Sequence, residues 1–138
     1  MGISYSLAVN NSWKLSNSYN VGGIIIGSKR PHEAIVHEAH WNHLGVGPKV
    51  NGDSMYNGAS DNAAAIAWML SIAEAFKASG KVPERSILFF SPTAEEAGLP
   101  GSKHYVDNSV FTHWNTVACF NRKLLCFLVS LRMLRLLV

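Results

Sequence analysis

Short apolar runs of strand length and one longer segment at helical period divide the chain into elements. Residues 21–27, Val-Gly-Gly-Ile-Ile-Ile-Gly, predict a buried strand with glycine at both ends. A turn over 28–31 leads to a second strand over 33–40. Gly45, Gly47 and Pro48 then argue against regular structure, so residues 42–60, rich in Gly, Asn, Asp and Ser, are expected to form one long loop. Ile66, Met69, Leu70, Ala73 and Phe76 fall on one face at helical spacing and predict a helix over 62–79. Asp61 stands at its start, and Gly80 with Pro83 ends it. A third strand over 86–91, a short helix over 100–110 and a fourth strand over 115–120 follow. Strands alternating with helices in this order predict an α/β fold around a largely parallel sheet.

That layout gives four side chains a common address. Open α/β sheets bind ligands beyond the carboxyl ends of their strands. His40 and the pair Glu95-Glu96 follow two such ends, and Asp61 opens the helix between them. Taken singly, each has an ordinary explanation. Aspartate at a helix start is commonly a cap, paired glutamates are commonly solvated, and a histidine after a strand is commonly hydrogen-bonded. Taken together, they are carboxylates and imidazole, the donors that suit zinc, with one glutamate free to ligate while its neighbour moves protons.

Composition narrows the classes. With 138 residues, 48% apolar and 15% charged, the chain has globular composition and suffices for one modest domain. A net charge of +3, with Arg122, Lys123, Arg132 and Arg135 all near the end, leaves no general electrostatic case for nucleic acid. Cys119 and Cys126 lack the paired spacing of a thiolate zinc site, and Cys119 is expected to be a buried thiol. The start lacks the basic region and apolar core of an export signal, and the chain is expected to begin inside a larger protein. Leu124 to Val138 is apolar but shorter than the ~20 residues of a membrane span.

Two motif-like stretches fail on chemistry. Gly22 to Lys29 has the glycines of a phosphate loop, but Ser28 precedes Lys29, the interior is Ile-Ile-Ile, and Pro31 blocks the following helix. His37-Glu38-Ala39-His40 is one residue short of the helical zinc motif.

Three longer words occur in order: His40-Trp41-Asn42-His43-Leu44-Gly45, then Tyr56-Asn57-Gly58-Ala59-Ser60-Asp61-Asn62-Ala63, then Ala94-Glu95-Glu96-Ala97-Gly98-Leu99-Pro100-Gly101-Ser102. Over residues 20–121 the chain resembles the zinc aminopeptidases, co-catalytic dinuclear exopeptidases that include leucyl aminopeptidases and glutamate carboxypeptidase-like proteins. The resemblance implies a three-layer fold, with a mixed, largely parallel sheet flanked by helices. It implies His40 as terminal ligand of one zinc, Asp61 as bridge, Glu96 as ligand and Glu95 as general base. The implied substrate is a peptide or aminoacyl compound cleaved at its N-terminal bond.

The chain also departs from that family. Asn42 stands where the family has an aspartate that supports the metal-binding histidine, and such support is worth about 10–100-fold in metal affinity or activity. Ala64-Ala65 replaces a small residue and glycine, a change that favours helix. After Phe120-Asn121, where the family continues to a metal-binding aspartate, Arg122 and Lys123 lead into the apolar run. A final histidine expected further on has no counterpart. Residues 1–121 therefore read as a partial zinc peptidase domain, incomplete at its C-terminus, and 122–138 as a tail foreign to it, resembling a shifted or truncated reading frame. Two zinc ions in intact relatives become one or none here. The alternative to an impaired peptidase is a non-catalytic binding or structural fragment of the same fold.

Overall fold

A computed structural model describes residues 3–12 and 14–122. Its elements in order are β1 (Val21–Ile25), β2 (Arg30–Glu38), β3 (Gly45–Val50), β4 (Asp53–Tyr56), α1 (Ala64–Ser79), β5 (Arg85–Ser91), α2 (Pro100–Asp107) and β6 (Thr116–Asn121). The four-stranded sheet runs β1-β5-β2-β6. β2 pairs in parallel with both β5 and β6, and β1 pairs antiparallel with β5. The fold is thus α/β with a mixed, mostly parallel sheet and two helices.

Alternation along β5 explains how the sheet acquires a helix on each face, because successive side chains point to opposite sides. Ile87 and Phe89 join Ala65 and Met69 of α1, with Ile66, Trp68, Ile72, Ala73 and Phe76 packed against them. Leu88 and Phe90 turn the other way and meet Val36, Tyr105 of α2 and Phe111. Gly27, just after β1, lies so close to β5 that a Cβ there would stand 2.5 Å from the Arg85 carbonyl carbon. Its lack of a side chain lets the turn between β1 and β2 fold against the start of β5.

Four expectations are corrected. The strand expected to be buried over 21–27 is β1, and it is exposed along most of its length, because among the described strands it pairs only with β5. The segment 42–60 is not one irregular loop: β3 and β4 form a separate two-stranded ribbon within it. Asn51 and Gly52 at its tip both have positive φ, 52° and 90°, the geometry that suits a tight hairpin. A free-standing ribbon tolerates proline at positions a central strand would reject, and Pro48 even accepts a hydrogen bond from the Tyr56 hydroxyl at 3.1 Å. In α1, Leu70 is 60% exposed, because the buried face runs through Ala65, Trp68, Met69 and Ile72. Cys119 is exposed rather than buried. It lies on β6, which pairs only with β2 among the described strands, so its surroundings are open. The tail expected over 122–138 lies outside the described residues apart from Arg122. No helix among the described residues is long and apolar enough to cross a membrane.

The sheet interior holds one unusual side chain. His37 on β2 is opposite Phe89 of β5 and Phe120 of β6 in register, and its ring lies 5.7 Å and 5.3 Å from theirs. Trp68 of α1 meets it edge-on at 5.7 Å. Burial pushes the His37 pKa below its ordinary 6.5, since desolvation disfavours the imidazolium. The unfolded chain therefore takes up this proton first. The stability gained from keeping His37 neutral is complete above pH 6.5 and is lost as pH falls through the depressed folded value. His37→Phe is expected to remove this loss. Urea midpoints at pH 7.5 and 5 would test it, and parallel changes in wild type and variant would contradict it. Glu33 beside Arg85, and Glu84 beside Lys29 and Arg30, have pKa values lowered from 4.5 by those cations. Their contribution is lost at lower pH and is common to both proteins.

Candidate metal centre

The connections leaving β2 and β5 diverge. β2 continues through the ribbon into α1 on one face, and β5 continues into α2 on the other. The carboxyl ends of these adjacent parallel strands therefore open a crevice. His40 and the Glu95-Glu96 pair flank it, each a few residues past a strand end.

His40 is 5% exposed. Its Nδ1 lies 2.8 Å from the backbone carbonyl of Asn42. A carbonyl can only accept, so Nδ1 carries a proton, and in the neutral ring Nε2 presents a lone pair. That Nε2 stands 3.0 Å from Asp61 Oδ1. Neither atom has a hydrogen-bond partner, although both are buried. Two lone-pair atoms at this distance in a shielded crevice repel unless a proton or a cation lies between them. For two ligands of one tetrahedral zinc, bonds of ~2.0–2.2 Å imply a separation of about 3.4 Å.

The expected role of Asn42 is also corrected. Its backbone, not its side chain, holds His40. The side-chain Oδ1 instead accepts a hydrogen bond from the backbone N–H of Glu95 at 3.3 Å, so Asn42 ties the two lips of the crevice together.

Asp61 does not cap α1. It sits in an irregular turn, Ala59–Ala63, with non-helical backbone at Asp61 and Asn62. The next residue, Asn62, is buried and its amide donates to the His40 carbonyl and the Arg122 carbonyl, both at 3.3 Å. One side chain thus joins the ends of β2 and β6 beneath the crevice. Glu95 and Glu96 lie on a tight turn between Ala94 and Leu99, both left-handed (φ 55° and 64°), conformations that cost about 1–3 kcal/mol when other contacts enforce them. Asn20 supplies such contacts: its Oδ1 accepts from Thr93 N–H at 3.0 Å and its Nδ2 donates to the Gly101 carbonyl at 2.8 Å.

The donor atoms form two overlapping triads, His40–Glu95–Glu96 and His43–Asp61–Glu96, each with all ligand atoms within 4.8 Å. The structure therefore brings together all four of the side chains expected from sequence. It adds His43, whose Nδ1 lies 3.3 Å from Glu96 Oε1, and Asn62. His43 lies within the first motif, three residues from His40, but its position on a loop gives no periodic signal of where its ring points. The imidazole and carboxylate donors, the unpartnered buried atoms and their spacing fit a zinc-type ion.

The sequence profile of Peptidase family M28 matches residues 20–125. The chain belongs to this family. The match begins at residue 20, as the resemblance does, and runs four residues beyond its end at 121. The chain is also 33% identical over 110 residues to an aminopeptidase of Rattus norvegicus, aminopeptidase NAALADL1. That alignment covers 77% of this chain and 13% of the rat protein, so the chain spans a small part of its relative's length. M28 proteins typically bind two zinc ions, in keeping with the donor set found here.

Proposed function

We propose that this chain carries the metal-holding part of a zinc-dependent peptidase site of aminopeptidase type, with His40, Asp61 and Glu96 as ligands and Glu95 as general base. The observation that carries the reading is the buried pair of His40 Nε2 and Asp61 Oδ1, 3.0 Å apart and otherwise unpartnered. Asp61 faces His40 and also belongs to the triad with Glu96, so its carboxylate is positioned to bridge. The Asn42 carbonyl fixes the His40 tautomer that leaves Nε2 free to ligate.

Bound zinc polarises a scissile carbonyl and acidifies water. Glu95, with its backbone held by Asn42, accepts the proton of the attacking water on its carboxylate and returns it to the leaving nitrogen. A cleft of about 340 Å³, lined in part by Trp41, His43, Tyr56 and Asn62, adjoins the crevice and offers room for a substrate side chain. Residues 1–121 are the domain portion in this reading.

The second reading is a metal-binding fragment without turnover. It is favoured by Asn42, which holds His40 through a neutral carbonyl where a carboxylate would raise the ligand's basicity. Hydrolysis of aminoacyl-nitroanilides by the zinc-loaded chain distinguishes the two. Peptidase action predicts chelator-sensitive turnover that Glu95→Gln lowers by about 10²–10⁴-fold while zinc stays bound. A zinc-loaded wild type with no turnover would leave the second reading.

A further inference from the structure

We propose that His43 is itself a metal ligand, completing a cation position with Asp61 and Glu96 beside the one served by His40. The inference rests on reading the crevice as a metal centre, and extends it to a residue that neither the motifs nor the family match assigns.

Three observations converge on His43. Its Nδ1 is buried and lacks a hydrogen-bond partner, although Glu96 Oε1 is 3.3 Å away. That distance is close to the ~3.4 Å between two ligands of one tetrahedral zinc with bonds of ~2.0–2.2 Å. The orphaned Nε2 of His40, on a side chain 5% exposed, lies 3.0 Å from Asp61 Oδ1 within the same cluster. The backbone is also shaped for the approach. Gly58 has φ 65°, and a Cβ there would stand 2.8 Å from His43 Cβ and 3.0 Å from the Asp61 carbonyl oxygen. The missing side chain lets the His43 loop and the Asp61 turn close on each other.

An ordinary ion pair between His43 and Glu96 explains less. It accounts for one contact but leaves His40 Nε2 and Asp61 Oδ1 facing each other unneutralised. A cation held by His43, Asp61 and Glu96 draws on the same Asp61 carboxylate that meets His40. It turns the His43 Nδ1–Glu96 Oε1 contact into two ligand bonds and sets a positive charge beside the His40 Nε2–Asp61 Oδ1 contact.

The test uses Co(II) as the probe, with affinity read by competition against a chromophoric chelator and geometry read from visible absorption. Wild type is expected to bind Co(II). His43→Ala is expected to weaken binding by at least about tenfold, the lower end for a residue that supports a site only indirectly. His32→Ala, an exposed histidine at the far end of β2, is expected to leave it unchanged. His43→Cys is the second variant: it should restore binding and show a thiolate-to-cobalt charge-transfer band absent from wild type. A purely structural His43 could not produce that band. Wild-type affinity in His43→Ala, or Co(II) bound by His43→Cys without the band, overturns the inference while leaving the metal centre intact. Failure of wild type to bind Co(II) overturns both. Thermal melts of each variant in the metal-free state separate ligand loss from misfolding.

Discussion

Asp61→Asn is expected to act in opposite directions with and without zinc. In the zinc-free chain the asparagine can donate its Nδ2–H to the His40 Nε2 lone pair, which now faces a carboxylate oxygen at 3.0 Å. One repulsive contact becomes a hydrogen bond, worth about 0.5–1.5 kcal/mol. The metal-free variant should therefore be as stable as wild type or more so. In zinc the order reverses, because the carboxylate facing His40 and shared with the second triad is gone. A ligand should cost more than the ~10–100-fold of an indirect support. A 100-fold loss of affinity means about 2.7 kcal/mol less stabilisation at saturating zinc. Melting curves of both proteins with chelator and with zinc would reveal the crossing. A variant less stable than wild type in chelator would point instead to Asp61 as a structural hydrogen-bonding group.

Leu88→Ala has the largest expected effect on folding. Leu88 is 2% exposed on β5, which lies between β1 and β2, and its side chain packs with Val36 and Phe90 beneath Tyr105 and Phe111. Truncating a buried leucine costs about 2–5 kcal/mol through lost burial and the cavity left behind. Against a total of roughly 5–15 kcal/mol for a domain, that is a large share. The melting temperature should fall by at least about 8 °C at ~4 °C per kcal/mol. Leu70→Ala, at the outward face of α1, should stay within about 0.5 kcal/mol. Equal effects of the two would mean that β5 is not the centre of the core.

Leu70 and Leu88 also mark where sequence patterning succeeds and where it fails. Strand β5 was legible because a short apolar run bounded by serines has few other uses. The inward face of α1 was only partly legible. A segment apolar on most of its circumference does not state which stripe is buried, and the sheet chose Trp68 and Ile72 over Leu70. The ribbon β3–β4 was hidden by Gly45, Gly47 and Pro48, residues that exclude a central strand but not an exposed hairpin. Asn51-Gly52 carried the hairpin signal. Cys119 looked buried because its strand is apolar, yet burial depends on what covers β6, which lies outside a strand's own pattern.

The four side chains that the candidate site brings together were legible as a set. His40, Asp61, Glu95 and Glu96 each stand at the end of an element, where chemistry leaves short polar words. What could not be read was contact between those words. That Asn42 turns its carbonyl to His40 and its side chain to Glu95, or that Asn62 fastens two strand ends, follows from loop conformation. His43 fell in the same gap: its ring reaches Glu96 only because Gly58 lets two loops touch.

The zinc content of purified protein tests the metal centre most directly. Wild type and Asp61→Asn would be prepared side by side in zinc-supplemented medium, dialysed, and measured by inductively coupled plasma mass spectrometry. The buried His40–Asp61 pair predicts about one zinc or more per wild-type chain and only traces in the variant. Zinc-free wild type, or equal zinc in the two proteins, would contradict a metal centre in this crevice.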